Sequence, residues 1–112
     1  MIDLEVLRRV SSTLAERKNA SPDASYVSSL YAKGNDAICK KVVEEAAETL
    51  MAAKDGDRRH LVHEVADLWF HSMVLLAQHG LSVEDVAAEF RRREGISGIE
   101  EKQSRGKKQE EA

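Results

Sequence analysis

Two short clusters of acidic residues on neighbouring helix-forming segments most constrain what this chain can fold into. The first cluster contains Glu44, Glu45 and Glu48, and the second contains Glu64 and Asp67, after 15 intervening residues. Both clusters lie in segments with an apolar face, where a close set of acid groups costs free energy unless a positive group neutralises it. A fold that suits this chain therefore brings the five carboxylates together around a cation.

Hydrophobic residues recur at spacings of three and four along most of the chain, a pattern typical of amphipathic helices. In the first segment, for example, the apolar positions include Leu4, Leu7, Val10 and Leu14. Glycines and the single proline interrupt the pattern. We therefore predict helices over about residues 3–18, 25–32, 37–54, 58–79 and 82–94.

The predicted fold class is all-α, because no segment shows a useful run of strand-like alternation. With 112 residues, the chain corresponds to one domain. We expect a bundle of four to five helices over residues 1–95, with a core that a second copy of the chain helps to complete. A polar, charged tail over residues 96–112 is expected either to associate with substrate or to be disordered.

The composition argues against several classes of protein. The chain carries 17 basic and 20 acidic residues, and its net charge of −3 gives no reason to expect nucleic-acid binding. No apolar stretch approaches the length of about 20 residues that spans a bilayer, and the N-terminus does not resemble a signal peptide. The single cysteine, Cys39, cannot form an internal disulfide. We therefore expect a cytoplasmic protein without a nucleic-acid or membrane partner.

The two acidic clusters are predicted to face each other across one helix pair. At about 100° per residue, Glu45 and Glu48 lie about 60° apart on one helix face, and so do Glu64 and Asp67 on the next helix. A connection of about three residues makes these helices antiparallel neighbours. Oxygen ligands from facing helices suit Mg²⁺, which also takes substrate phosphates. The clusters therefore predict a metal site for phosphate chemistry.

A simpler interpretation of the first cluster stays open at this point. Glutamates and lysines three or four residues apart commonly pair on the solvated face of a helix. Lys40 and Lys41 could pair with Glu44 and Glu45 in this way. The metal site is favoured because both clusters lie together within apolar surroundings.

The histidines allow two further interpretations. His60 and His63 are three residues apart and could bind zinc, but no second cysteine or third clustered histidine completes a closed zinc shell. His71 lies one turn beyond Asp67 and could orient that carboxylate from behind the metal. It could equally be a core histidine that bonds to another partner.

Motifs along the whole chain closely resemble those of the phosphoribosyl-ATP pyrophosphatase family, within the all-α NTP pyrophosphatase (MazG-type) superfamily. The acidic clusters alone indicate only the superfamily, and the narrower resemblance depends on the serine–tyrosine pair, the Asp67-Leu68-x-x-His71 motif and the terminal motif. The motifs are Ser25-Tyr26, Lys41-Val42-x-Glu44-Glu45-Ala46-x-Glu48, Glu64-x-x-Asp67-Leu68-x-x-His71 and Ser97-Gly98-Ile99-Glu100-x-Lys102-x-x-Arg105.

The resemblance implies a hydrolase that cleaves the α–β phosphate bond of phosphoribosyl-ATP. The products would be phosphoribosyl-AMP and pyrophosphate, in the second step of L-histidine biosynthesis. The resemblance also implies dependence on Mg²⁺, with Mn²⁺ as an alternative ion, and a homodimer whose two subunits build the core together.

The resemblance also implies a role for particular residues. The expected Mg²⁺ ligands are Glu45, Glu48, Glu64 and Asp67, and the expected catalytic residues are Glu44, Glu45 and Glu48. Contacts with the substrate are expected from Tyr26, Lys33, Lys41, Lys102 and Arg105.

Two other functions remain open from the residues alone. The same metal site could serve a house-cleaning pyrophosphatase that acts on dUTP or on damaged nucleoside triphosphates. Alternatively, the chain could be a non-catalytic helical dimerisation module whose acids bind a metal only for stability.

Overall fold

Helices make up most of the chain in the computed structural model, which describes residues 3–111 and, within them, the side chains of residues 3–100 and 102–106. No strand is formed within residues 3–111, so the predicted all-α class is confirmed. The helices are α1 (Glu5–Glu16), α2 (Tyr26–Lys33), α3 (Asn35–Asp55), α4 (Arg58–Gln78), α5 (Val83–Arg93) and α6 (Gly98–Glu111), and a short 3₁₀ turn (Arg17–Asn19) follows α1.

The sixth helix adds to the four or five that the sequence predicted. The helix α6 occupies most of the segment that we expected to be a polar tail. The division into residues 1–95 and 96–112 stays a prediction. Its two ends, residues 1–2 and 112, lie outside the described residues.

A tight hairpin joins the two helices that carry the acidic clusters. Gly56 ends α3 with a φ of 76°, a left-handed conformation that glycine adopts without steric cost. Asp57 begins α4, because its Oδ1 accepts hydrogen bonds from the backbone N–H groups of Arg59 and His60 at 3.0 and 3.2 Å. With only Gly56 and Asp57 between them, α3 and α4 fold back on each other as the sequence predicted.

A contact at the opposite end shows that this helix pair is antiparallel along its whole length. The side chain of His79, just beyond α4, lies 2.8 Å from Oδ1 of Asn35, the first residue of α3. The hairpin and this hydrogen bond fix the register of the two helices. The acidic cluster of α3 is therefore held beside that of α4.

The hydrophobic core lies between the first four helices. Ile38 and Val74 are fully buried, and α2 is tied to α1 by the Tyr31 hydroxyl, which donates to the Leu14 carbonyl at 2.8 Å. The buried cluster consists of Leu14, Val27, Leu30, Ile38, Met73 and Val74. This core gives α3 and α4 one buried face each, and Glu45 and Glu64 are the acids of the two clusters that are buried with it.

Both helices of the pair also carry apolar side chains that the chain itself leaves uncovered. On α3, Val43 and Leu50 are 68% and 59% exposed, and on α4, Val62 and Trp69 are 69% and 54% exposed. Trp69 is left exposed because the buried stripe of α4 runs through Glu64, His71 and Val74, on another side of the helix.

The helices within residues 3–111 include none that combines the length and the apolar character needed to cross a membrane.

Candidate metal centre

The packing of α3 against α4 brings three of the predicted metal ligands into one group. One carboxylate oxygen from each of Glu45, Glu48 and Glu64 lies within 4.8 Å of the other two. Glu45 and Glu64 are buried, with only 6% and 8% of their surface exposed, whereas Glu48 is exposed. Asp67 groups instead with Glu64 and His63, within the same limit of 4.8 Å.

Two buried oxygens in this cluster lack hydrogen-bond partners. Among the described side chains, Oε2 of Glu45 and Oε2 of Glu64 are buried and unpaired. An unpaired buried acceptor costs about 1–3 kcal/mol, which a bound cation would relieve. Ligand oxygens of an octahedral Mg²⁺ ion lie at about 2.1 Å from the metal and so about 3–4 Å from each other. The separations in the cluster are compatible with these distances, so its residues fit a divalent cation.

The local electrostatics make the metal-free cluster unfavourable. Burial raises the pKa of Glu45, and the adjacent Glu48 and the charge of Asp67 raise it further. Each of these causes penalises the ionised form of Glu45. A cation at this position would have the opposite effect, because it favours the ionised carboxylates.

Lys41 is the basic residue that the structure places beside the acids. Its Nζ lies 3.5 Å from Oε2 of Glu44 and 3.8 Å from Oε1 of Glu45. The pairing that the sequence left open is therefore present. However, Glu45 is buried rather than on a solvated face, so this pairing does not reduce the cluster to an ordinary surface feature.

The remaining predicted substrate contacts are located at the surface of the molecule. Lys33 is exposed in the last turn of α2, and Lys102 and Arg105 are exposed on α6. Tyr26 is the first residue of α2 and is 52% exposed. Contacts of these four residues with substrate stay predictions.

Of the two roles that the sequence left open for His71, the contacts in the structure correspond to a buried histidine that bonds to partners other than the carboxylate of Asp67. Its Nδ1 lies 3.0 Å from the backbone carbonyl oxygen of Asp67, and its Nε2 lies 2.8 Å from the hydroxyl oxygen of Tyr26. Its Nδ1 is also 3.8 Å from Oε1 of Glu45. The ring is buried and thus connects α2, α3 and α4 behind the carboxylates. Sequence reasoning missed the link to Tyr26, because the two residues are 45 positions apart and share no local pattern.

The other two histidines of α4 lie on the outer side of the cluster. His60 Nε2 is 3.3 Å from Oε1 of Glu64, and His63 Nε2 is 3.3 Å from Oδ2 of Asp67. Sequence reasoning found no third zinc ligand next to these histidines. In the structure, each of these two histidines lies beside a carboxylate one turn further along α4, Glu64 for His60 and Asp67 for His63.

Comparisons with known proteins show which family this chain resembles. A family model described as "Phosphoribosyl-ATP pyrophosphohydrolase" matches residues 7–94. A protein of Azoarcus sp. (strain BH72) named phosphoribosyl-ATP pyrophosphatase is 77% identical over 105 residues, which cover 94% of this chain and 98% of that protein. A protein of the same name from Aromatoleum aromaticum is 76% identical over 94% of this chain and 97% of its own length. Another, from Neisseria gonorrhoeae, is 56% identical over 89% of this chain and 94% of its own length.

Proposed function

This chain belongs to the phosphoribosyl-ATP pyrophosphohydrolase family, and we propose that it hydrolyses phosphoribosyl-ATP to phosphoribosyl-AMP and pyrophosphate, in the second step of L-histidine biosynthesis. The observation that carries the proposal is the convergence of Glu45, Glu48 and Glu64 from two helices, with two buried oxygens unpaired. The name shared by the relatives favours this activity over a house-cleaning pyrophosphatase or a non-catalytic module. A cytoplasmic location accompanies it as a prediction.

We propose that Glu45, Glu48, Glu64 and Asp67 hold Mg²⁺, with Mn²⁺ as an alternative ion. The first three are supported by their mutual distances, and Asp67 by its proximity to Glu64. When bound, Mg²⁺ supplies neutralisation of charge on the phosphate oxygens and orientation of the attacking water. Glu45 and Glu64 contribute rigid ligands, because both are held in the packed face between α3 and α4.

We propose Glu44 as the residue that accepts the proton of the water. It lies next to Glu45 on α3 and is partly exposed, with Lys41 3.5 Å away. In the hydrolysis, a water oxygen bonds to phosphorus while the bond from that phosphorus to the bridging α–β oxygen breaks. The water proton passes to a carboxylate within hydrogen-bonding reach, which is the role of a general base.

The positive side chains around the cluster suit the negative charge of the substrate. Lys41, which pairs with Glu44, can form a charge-assisted hydrogen bond with a phosphate oxygen. Tyr26 is half-exposed and interacts electrostatically with Lys41 and with the acids. Lys33 on α2 and the pair Lys102 and Arg105 on α6 complete the proposed set of substrate contacts.

We also propose that the chain forms a homodimer through the uncovered apolar faces of α3 and α4. Exposed Val43 and Leu50 on α3 are seven residues apart, as are Val62 and Trp69 on α4, so each pair lies along one side of its helix. Trp69 additionally lines an apolar groove shared by α4 and α5. Large apolar side chains left uncovered on two neighbouring helices are consistent with a protein–protein interface.

The dimer is tested by measuring the molar mass of the chain in solution by light scattering. The wild-type protein is expected at twice the chain mass of 12.5 kDa. Leu50→Glu combined with Trp69→Glu should give a monomer, because each carboxylate would be buried without a partner. Leu4→Glu is the matched control, since Leu4 is 73% exposed but lies outside both faces. A wild-type monomer would contradict the proposal.

The activity is tested by chromatographic detection of phosphoribosyl-AMP formed from phosphoribosyl-ATP, with and without Mg²⁺. Product should appear only with the metal ion. dUTP and dCTP serve as competing substrates, and faster hydrolysis of either would favour the house-cleaning function. Absence of hydrolysis for all three substrates, together with stabilisation by Mg²⁺, would favour the non-catalytic module.

A further inference from the structure

A histidine lies beside the carboxylates at the outer edge of the metal centre, and none of the roles described above uses it. Nε2 of His63 is 3.3 Å from Oδ2 of Asp67. One ligand atom from each of His63, Glu64 and Asp67 lies within 4.8 Å of the other two. Glu64 belongs both to this group and to the group with Glu45 and Glu48. Two adjacent ion positions would therefore share its carboxylate.

The position of these residues on α4 leaves one side open to solvent. His63 and Asp67 are four residues apart, so their side chains lie one above the other on the helix. The side chain of His63 is 68% exposed and that of Asp67 is 40% exposed, whereas that of Glu64 is only 10% exposed. An ion held here would enter from solvent and keep water ligands on its outer side, with Glu64 as its buried ligand.

The buried carboxylate of Glu64 provides a further observation. Oε2 of Glu64 is buried and has no hydrogen-bond partner, although Oε1 of the same carboxylate faces His60 at 3.3 Å. Such an oxygen has lost its hydration without gaining a donor, which is costly. A simple surface pair between His63 and Asp67 would not account for the unpaired oxygen of Glu64.

We propose that His63, Glu64 and Asp67 form a second cation position that takes a transition-metal ion through an imidazole nitrogen. It lies next to the all-carboxylate position proposed for Mg²⁺, whose other ligands are Glu45 and Glu48. Imidazole suits ions such as Mn²⁺ and Zn²⁺ better than it suits Mg²⁺, which takes oxygen ligands. The two positions share Glu64 and Asp67, but the second one does not depend on which substrate the enzyme hydrolyses.

The test is Mn²⁺ binding to the metal-free full-length chain, followed by electron spin echo envelope modulation. The wild-type complex is expected to show modulation from a directly coordinated ¹⁴N nucleus. His63→Gln should lose this modulation, and its exposure predicts that the variant folds normally. His79→Gln is the matched control, because His79 pairs with Asn35 at the other end of the helix pair. His60→Gln should also keep the signal.

The second position would be overturned if the wild-type protein bound no Mn²⁺, or if its Mn²⁺ complex showed no nitrogen modulation. It would also be overturned if the modulation persisted in His63→Gln or disappeared in His60→Gln. Pyrophosphate release with Mg²⁺ alone is measured on the same preparations. If the wild-type enzyme releases pyrophosphate but shows no nitrogen ligand, only the second position fails. If it shows the nitrogen ligand but hydrolyses nothing, only the proposed activity fails.

Discussion

The hydroxyl oxygen of Tyr26 lies 2.8 Å from Nε2 of His71, and this contact joins the first residue of α2 to the helix that carries the second acidic cluster. The other ring nitrogen, Nδ1, is 3.0 Å from the backbone carbonyl of Asp67. Because a carbonyl oxygen only accepts hydrogen bonds, Nδ1 of the neutral ring carries the proton and Nε2 accepts from Tyr26. The hydroxyl group of Tyr26 therefore donates its hydrogen bond to His71, and this bond fixes the position of the Tyr26 ring near the acidic clusters.

Tyr26→Phe should therefore reduce both stability and substrate binding. Loss of the hydroxyl leaves the buried Nε2 of His71 without a donor, and we expect the free energy of unfolding to fall by about 1 kcal/mol. The aromatic ring would no longer be fixed beside the carboxylates, so KM should rise while kcat changes less. Denaturant unfolding and steady-state kinetics with phosphoribosyl-ATP measure the two effects.

A second tyrosine of the same helix provides the control for Tyr26→Phe. The Tyr31 hydroxyl donates to the Leu14 carbonyl at 2.8 Å, within the core and not beside the acids. Tyr31→Phe should cost a similar amount of stability and leave KM unchanged. Equal KM values for the two variants would show that the Tyr26–His71 contact serves only to hold the fold together.

Removing the charge of Glu45 should abolish activity and stabilise the metal-free protein at the same time. Glu45 is buried and Oε2 has no hydrogen-bond partner. Glu45→Gln keeps the size of the side chain but removes the buried charge, which we expect to raise the free energy of unfolding by about 1 kcal/mol in a chelating buffer. Mg²⁺-dependent pyrophosphate release should be lost, since Glu45 is a proposed ligand.

Glu44→Gln is the matched control for the stability effect. Glu44 is adjacent in sequence but its side chain is 44% exposed and pairs with Lys41, so its charge is hydrated and little stability should be gained. If Glu45→Gln were as active as the wild-type enzyme, or less stable than it in the chelating buffer, the account of a strained acidic cluster would be wrong.

The contribution of Glu45 to the stability of the metal-free protein should fall as pH rises. Burial raises the pKa of Glu45 above its ordinary value of 4.5, and Glu48 and Asp67 add to the effect. The folded chain therefore binds this proton more tightly than the unfolded chain does. The resulting stabilisation is complete below the pKa of the unfolded state and is lost as pH rises through the pKa of the folded state.

Thermal unfolding in a chelating buffer from pH 4 to pH 8 measures this dependence. Glu45→Gln should flatten the part of the profile that Glu45 contributes, and saturating Mg²⁺ should oppose the loss in the wild-type protein, because the ion binds the ionised carboxylates. Identical profiles for the wild-type protein and Glu45→Gln would contradict the raised pKa.

Helix positions were predictable wherever local chemistry decides them. The helix predicted over residues 58–79 is observed as Arg58–Gln78, because the side chain of Asp57 caps its start. The helix α6 was not predicted, because Gly98–Glu111 has no apolar face. Its glutamates, lysines and glutamines nevertheless favour helix through intrinsic propensity, a weaker signal than hydrophobic periodicity.

The acidic cluster was predictable only in part. A short hairpin fixes how α3 meets α4, so sequence spacing sufficed to bring Glu45 and Glu48 to Glu64. The contact of Tyr26 with His71 depends on how α2 packs across the bundle, and no local pattern encodes it. Likewise, hydrophobic periodicity could not show that Trp69 would lie on a side of α4 that the chain itself leaves exposed.

Lys102 and Arg105 provide the test of whether α6 takes part in substrate binding. Both are exposed on this helix and lie about 60° apart on one side, a spacing that suits two contacts with one phosphate chain. Lys102→Ala with Arg105→Ala should raise KM for phosphoribosyl-ATP about tenfold with little change in kcat, as expected for uniform binding. Lys102→Arg with Arg105→Lys keeps the charge and should restore most of the affinity. An unchanged KM in the double alanine variant would exclude α6 from the substrate site.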